Sequence, residues 1–111
     1  MIKIEFIVQN ENYVGLRCNG HSGYAESGHD IVCASISTLA QSLYIGLSQV
    51  VKTKITYNLN EKNAHLELRL SDNISSKEKE LSQVLFKTTF LSMQDIASGY
   101  PKNIKMEVKN L

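Results

Sequence analysis

Five stretches in which apolar and polar residues alternate at period two, interrupted by two helical segments, constrain this chain more than any other feature. In "IKIEFIV", Ile2, Ile4, Phe6 and Val8 share one face and Lys3 and Glu5 the other; "YVGLRC" continues with Val14, Leu16 and Cys18. That period belongs to strands buried on one side and wet on the other. "KITYNL" and "AHLELRL", joined by the turn "NEKN", predict a hairpin that points Ile55, Tyr57 and Leu59 inward alongside Leu66, Leu68 and Leu70. "IKMEVK" predicts a last strand with Ile104, Met106 and Val108 inward.

"DIVCASISTLAQSLYIGLSQVV" predicts a long first helix whose stripe is Val32, Ile36, Leu39, Leu43, Leu47 and Val50. Ser75 and Glu78 stand at capping-box spacing and open a second helix. Leu81, Val84, Leu85, Leu91 and Ile96 line it, and Gly99 with Pro101 in "SGYP" ends it. The order β-β-α-β-β-α-β implies an α+β two-layer sandwich, a mostly antiparallel five-stranded sheet with two helices on one face. Residues 1–111 form one domain on this reading. Tyr44, Ile45 and Val51 lie off the main stripe of the first helix, so a second surface is expected to cover them, and a homodimer would supply it.

Twelve Lys and Arg against 11 Asp and Glu leave a net charge of +1, no footprint for nucleic acid or an anionic membrane. "MIKIEFIVQNE" alternates charge with apolar residues and does not read as a signal peptide, and no stretch is expected to cross a bilayer. The cytoplasm is then the expected compartment, where thiols stay reduced. Cys18 and Cys33 read accordingly as a buried residue and a working thiol, not a disulfide.

"GHSGYAESGHDIVCASIS" breaks the pattern, crowding Gly20, Gly23, Gly28, His21, His29 and Cys33 before the first helix. Asp30 is a favoured N-cap, which places Cys33 among the unpaired amides at the positive end of the helix dipole. That placement favours the nucleophilic thiolate. His21, at the end of the second strand, is the nearest general base. The glycines allow a loop that approaches substrate closely or closes over it. Amides of the helix start, that of Cys33 included, are candidate donors to an oxyanion. Ser37 lies one turn beyond Cys33 on the same face, either packing beneath the site or acting directly. His29 and His65 carry no assigned role, His65 being read as outward-facing. Acyl transfer to cysteine fits these pieces and needs no cofactor. The alternative is a non-catalytic or zinc-binding module in which Cys18, His21, His29 and Cys33 supply four ligands. Against metal, Cys18 shares its face with Val14 and Leu16, and a helix N-terminus disfavours a cation.

The same stretch resembles the signature of the bacterial ribosomal-processing cysteine protease family, Prp. The shared features are Gly20-His21, Gly23-Tyr24-Ala25, Asp30-Ile31-Val32-Cys33-Ala34 and Ser37. The resemblance implies a cytoplasmic homodimeric endopeptidase with a catalytic dyad on Cys33 and His21. It also implies a substrate: the N-terminal extension of a large-subunit ribosomal protein (number twenty-seven), cut after a short motif ending in an aromatic pair and a small residue. Gly20, Gly23, Tyr24 and Gly28 then form the substrate loop, with Asp30 and Ser37 as supporting residues. Neither membrane nor nucleic acid is among the expected partners, and no metal site is implied.

Overall fold

A computed structural model describes residues 1–26 and 30–111. Gly28 and His29 lie outside the described residues. The strands are β1 (Ile2–Gln9), β2 (Asn12–Asn19), β3 (Ile55–Asn60), β4 (His65–Leu70) and β5 (Ile104–Asn110), and the helices are α1 (Ile31–Ile45) and α2 (Ser76–Gly99). The sheet runs in the order β3-β4-β2-β1-β5. All neighbouring strands pair antiparallel except β1 and β5, which are parallel, so the α+β sandwich expected from the alternation is a mixed sheet. The parallel pair follows from connectivity. A crossover through α2 carries the chain from β4 back to the same end of the sheet, and β5 can then only run alongside β1 in the same direction.

The core holds Ile2, Ile4, Phe6, Leu16, Cys18, Leu66, Leu68, Leu70 and Ile104 from the sheet. Val32, Ile36, Ala40, Leu43 and Leu47 come from the first helical segment, and Phe86 and Met93 from α2. On the opposite sheet face Arg17 bridges Glu5 at 3.4 Å and Glu67 at 3.2 Å, tying three strands together.

Strict alternation fails at a bulge between Ile7 and Val8. The register there passes from Ile7↔Gly15 to Val8↔Tyr13, leaving Val14 out of the pairing. Ile7 is buried, while Val8 and Val14 are only half-buried. Tyr13 takes the core-facing place, its ring 5.8 Å from Phe6, 5.8 Å from Phe90 and 6.2 Å from Phe86. β4 pairs with β2 only over Gly15 to Asn19, so Tyr13 finds no strand partner on that side. Gln83 of α2 replaces it: the Tyr13 amide donates to Gln83 Oε1 at 2.7 Å, and Gln83 Nε2 donates to the Tyr13 carbonyl at 2.8 Å.

Asp30 caps α1 as expected. Beyond Ile45 the helix widens into a π-helical turn over Gly46–Val51, which Lys52 ends in a left-handed conformation with φ 60°. The wider turn abandons the 3.6-residue period, and Val50, expected in the stripe, is 75% exposed. Gly46 packs against α2; a Cβ there would lie 2.9 Å from Leu85 Cδ1. Tyr44 does not need a second chain to cover it, because its ring stacks on Tyr57 of β3 at 4.1 Å. The run Ile31–Val51 is 21 residues long with an 18-residue window of mean hydropathy 1.4, enough by length and composition to cross a bilayer, contrary to expectation. In this structure Val32, Ile36, Ala40, Leu43 and Leu47 of the run pack into the core, while only 28% of that window is buried.

α2 opens with the expected reciprocal cap between Ser75 and Glu78. Its inward face differs from the expected one: Ser82, Phe86, Thr89 and Met93 are buried, whereas Leu81, Val84 and Leu91 are exposed. The two buried hydroxyls donate to carbonyls of their own helix, Ser82 to Glu78 at 2.6 Å and Thr89 to Leu85 at 2.8 Å, and so enter the core satisfied. Gly99 stays within the helix. Tyr100 ends it, because a residue preceding proline is pushed out of the helical region. Leu59 and Val108 lie on the inward face, paired with buried Leu66 and Phe6, but at the sheet edges they stay largely exposed.

The revised helix face has a direct test. Phe86→Ala should cost about 3–5 kcal/mol in chemical denaturation. Val84→Ala should stay within about 0.5 kcal/mol of the parent.

Candidate active site

β2 ends at Asn19, and Gly20 turns the chain. Its φ is +90°, and a Cβ there would meet the Met1 carbonyl oxygen at 2.6 Å, so glycine is required twice over. The Gly20 amide donates to the Ala64 carbonyl at 2.8 Å, fastening the turn to the β3–β4 hairpin. His21 follows, exposed.

Ser22 is the pin of the loop, and the sequence reading passed over it. It is 2% exposed. Its hydroxyl donates to Asp30 Oδ2 and accepts from the Tyr24 amide at 3.1 Å, and its carbonyl accepts from Asn103 Nδ2 at 2.9 Å. The short link to Tyr24 is a serine turn whose two-residue spacing is visible in the sequence. The link to Asn103 spans 81 positions and leaves no local signal. Tyr24 adds an edge-to-face contact with Tyr100, ring centroids 5.5 Å apart, on the same side of the loop.

Asp30 joins loop and helix. Oδ1 accepts the Cys33 amide at 2.9 Å while Oδ2 accepts the Ser22 hydroxyl. Partial burial works against its charge. The Ser22 hydroxyl, the Cys33 and Val32 amides and the nearby His21 outweigh it, holding the carboxyl below its ordinary range. The Cys33 amide is thereby committed to the cap, which corrects the expectation that it donates to an oxyanion.

Cys33 is a free, half-buried thiol one turn into α1, packed against the core. Together with His21 and Ser37 it lines two cavities. The first, about 220 Å³, runs between α1 and the β3–β4 hairpin, with Ile2, Cys18, Ile36, Ala40, Leu59 and Leu66 as apolar walls. The second, about 470 Å³, is bounded by Gly23, Ala25, Asp30 and Ala34 of the loop and helix start. His21 and Cys33 thus stand where the two meet. Among the described residues no hydrogen bond joins their side chains. Gly23 has φ +73° with open space around it. His65, expected to point idly outward, is half-buried at the rim of the first cavity, beside Asn19 and 3.6 Å from Glu67. Cys18 is core, as expected, and burial, with the charge of neighbouring Cys33, pushes its thiol up to about 12. Among the described residues no three His, Cys, Asp or Glu side chains gather as a metal set.

Known proteins share this fold. The family model described as cysteine protease Prp matches residues 1–105. A ribosomal processing cysteine protease Prp of Staphylococcus aureus is 26% identical over 110 residues, covering 98% of this chain and all of the relative. One of Mycoplasma genitalium is 31% identical over 104 residues, covering 94% of this chain and 92% of the relative. The crystal structure of an essential ribosomal processing protease Prp from S. aureus, with a covalently linked product peptide, superposes with TM-score 0.86 at 25% identity, over 98% of this chain and all of that one. A Streptococcus mutans crystal structure superposes with TM-score 0.84 at 26% identity, over all of this chain and 96% of that one. The chain belongs to the cysteine protease Prp family.

Because the Asp30 carboxyl is held down in the folded state, its stabilisation is full above the ordinary aspartate value of about 3.9 and fades as pH falls through the lower folded value. Thermal melts at neutral pH should rank parent, then Asp30→Asn, then Asp30→Ala, with a lost cap worth about 1 kcal/mol. The gap between parent and Asn should close in acid. An unchanged gap across that range would remove the charge from the account.

Proposed function

We propose that this member of the cysteine protease Prp family uses Cys33 as nucleophile and His21 as general base, and that it trims the N-terminal extension of a large-subunit ribosomal protein. The observation that carries the reading is that His21 and Cys33 line both cavities at the start of α1. A peptide laid across that junction has its scissile carbonyl at the thiol and one cavity on either side.

In the proposed reaction His21 takes the Cys33 proton as sulfur attacks the carbonyl carbon, then returns it to the departing amine. Water, deprotonated by His21, releases the acyl group and restores the thiol. Ser22 and Asp30 position the imidazole through the loop. The apolar walls of the smaller cavity suit a large apolar side chain beside the cut, in keeping with an aromatic pair in the ribosomal extension (number twenty-seven). Relatives named for ribosomal processing, and an S. aureus relative solved with a substrate peptide, support the substrate class. The cytoplasm, where ribosomes are assembled, is the proposed compartment. A homodimer is proposed on the exposed apolar side chains Ile45, Val50, Val84 and Leu91 of the helical layer; sedimentation of the parent against Leu91→Lys tests it.

Incubation with the extended ribosomal protein, followed by mass mapping, should locate one cut. Cys33→Ala should abolish it, and His21→Ala should slow it about a hundred- to ten-thousandfold. Cleavage surviving Cys33→Ala in a pure preparation would end the assignment.

A further inference from the structure

Cys18 takes no part in the proposed hydrolysis, yet it shares a cavity wall with Cys33. It stands on β2 opposite Leu66 of β4, beneath the first turns of α1, and Cys33 packs onto the core cluster to which it belongs. Burial first, and then the charge of Cys33, raise the Cys18 thiol, in keeping with the place of both residues on that cavity wall. A second thiol at this place is chemically consequential, because a nucleophilic cysteine that meets peroxide is lost once it passes the sulfenic stage.

We propose that Cys18 is a resolving thiol for Cys33, trapping its sulfenic acid as an intramolecular disulfide that halts the protease and shelters the sulfur until a dithiol restores it. The proposal rests on the reading of Cys33 as the reactive thiol. In the first step the Cys33 thiolate attacks one oxygen of hydrogen peroxide. The O–O bond breaks, and the departing hydroxide takes a proton and leaves as water; sulfur loses two electrons and peroxide gains them. In the second step the Cys18 sulfur gives up its proton and attacks the Cys33 sulfur. The S–S bond forms, the S–O bond breaks, and hydroxide leaves with that proton as a second water. A dithiol then returns both thiols and is itself oxidised to a disulfide.

The two cysteines are suited to different halves of this sequence. Cys33 is half-buried at a cavity junction, where peroxide reaches it. Cys18 is 9% exposed, and its raised thiol keeps it protonated and indifferent to peroxide. It acts only once its neighbour presents an electrophilic sulfur. Both thiols line the same cavity.

The full-length protein is treated with hydrogen peroxide, free thiols are alkylated under denaturing conditions, and intact mass and peptides are mapped. The parent should lose two hydrogens, yield a Cys18–Cys33 cross-linked peptide, and regain cleavage after dithiothreitol. Cys18→Ala, which keeps the core apolar, should instead gain two or three oxygens on Cys33 and stay inactive after reduction, relative to its own untreated rate. Cys18→Ser serves as a second variant with the same expectation. A parent that accumulates sulfinic Cys33 while Cys18 remains alkylatable would overturn the proposal. The cross-link is read by mass alone, so it stands or falls separately from the cleavage assays of Cys33→Ala and His21→Ala.

Discussion

One carboxylate holds the candidate site together. Asp30 accepts the amide of Cys33 with one oxygen and the hydroxyl of Ser22 with the other. The first bond starts the helix that presents the thiol. The second draws in the loop that carries the imidazole. A side chain accepting in only one direction would cap the helix and leave the loop without its tie to the helix start. The bond between loop and helix start therefore matters more to the site than any contact made by His21 or Cys33 themselves.

The fold supplies the other ends of that arrangement. β2 delivers Gly20 to the β3–β4 hairpin, where the Ala64 carbonyl receives its amide. The crossover through α2 delivers Tyr100 and Asn103 to the far side of the same loop, where they hold Tyr24 and Ser22. Distant segments thus meet around five residues because β5 must lie parallel to β1. The apolar cavity beside Cys33 is a by-product of the same geometry, left where the hairpin end and α1 diverge. It gives the proposed peptide a place to bind, and it leaves the buried thiol of Cys18 in view of Cys33.

Much of this was legible in the sequence wherever the determining interaction is short-range. The N-cap at Asp30 and the capping box at Ser75 span three residues each, and both stand as read. The five strands followed from alternation, and the family from the Gly20–Ser37 stretch. What escaped depends on tertiary partners. Gln83 satisfies Tyr13 across 70 positions and makes the bulge tolerable, and Asn103 reaches Ser22 across 81. The inward face of α2 was misread because hydrophobicity alone selects Leu81, Val84 and Leu91. Ser82 and Thr89 enter the core instead by bonding their own helix. Val50 was misplaced because the π-helical turn breaks the period that pattern reading assumes. The commitment of the Cys33 amide to Asp30 follows from the cap itself, which the sequence already contained.

The central claim is that His21 and Cys33 work as a pair because Asp30 and Ser22 bring the loop to the helix. The rate at which iodoacetamide alkylates Cys33 at neutral pH tests it most directly, since no substrate is involved. His21→Ala should slow alkylation at least about tenfold, and Ser22→Ala, with its folding confirmed by a cooperative melt, should slow it in the same sense. If Cys33 reacts in both variants as fast as in the parent, the thiol does not depend on the imidazole, and the account of the loop as the device that joins them is wrong.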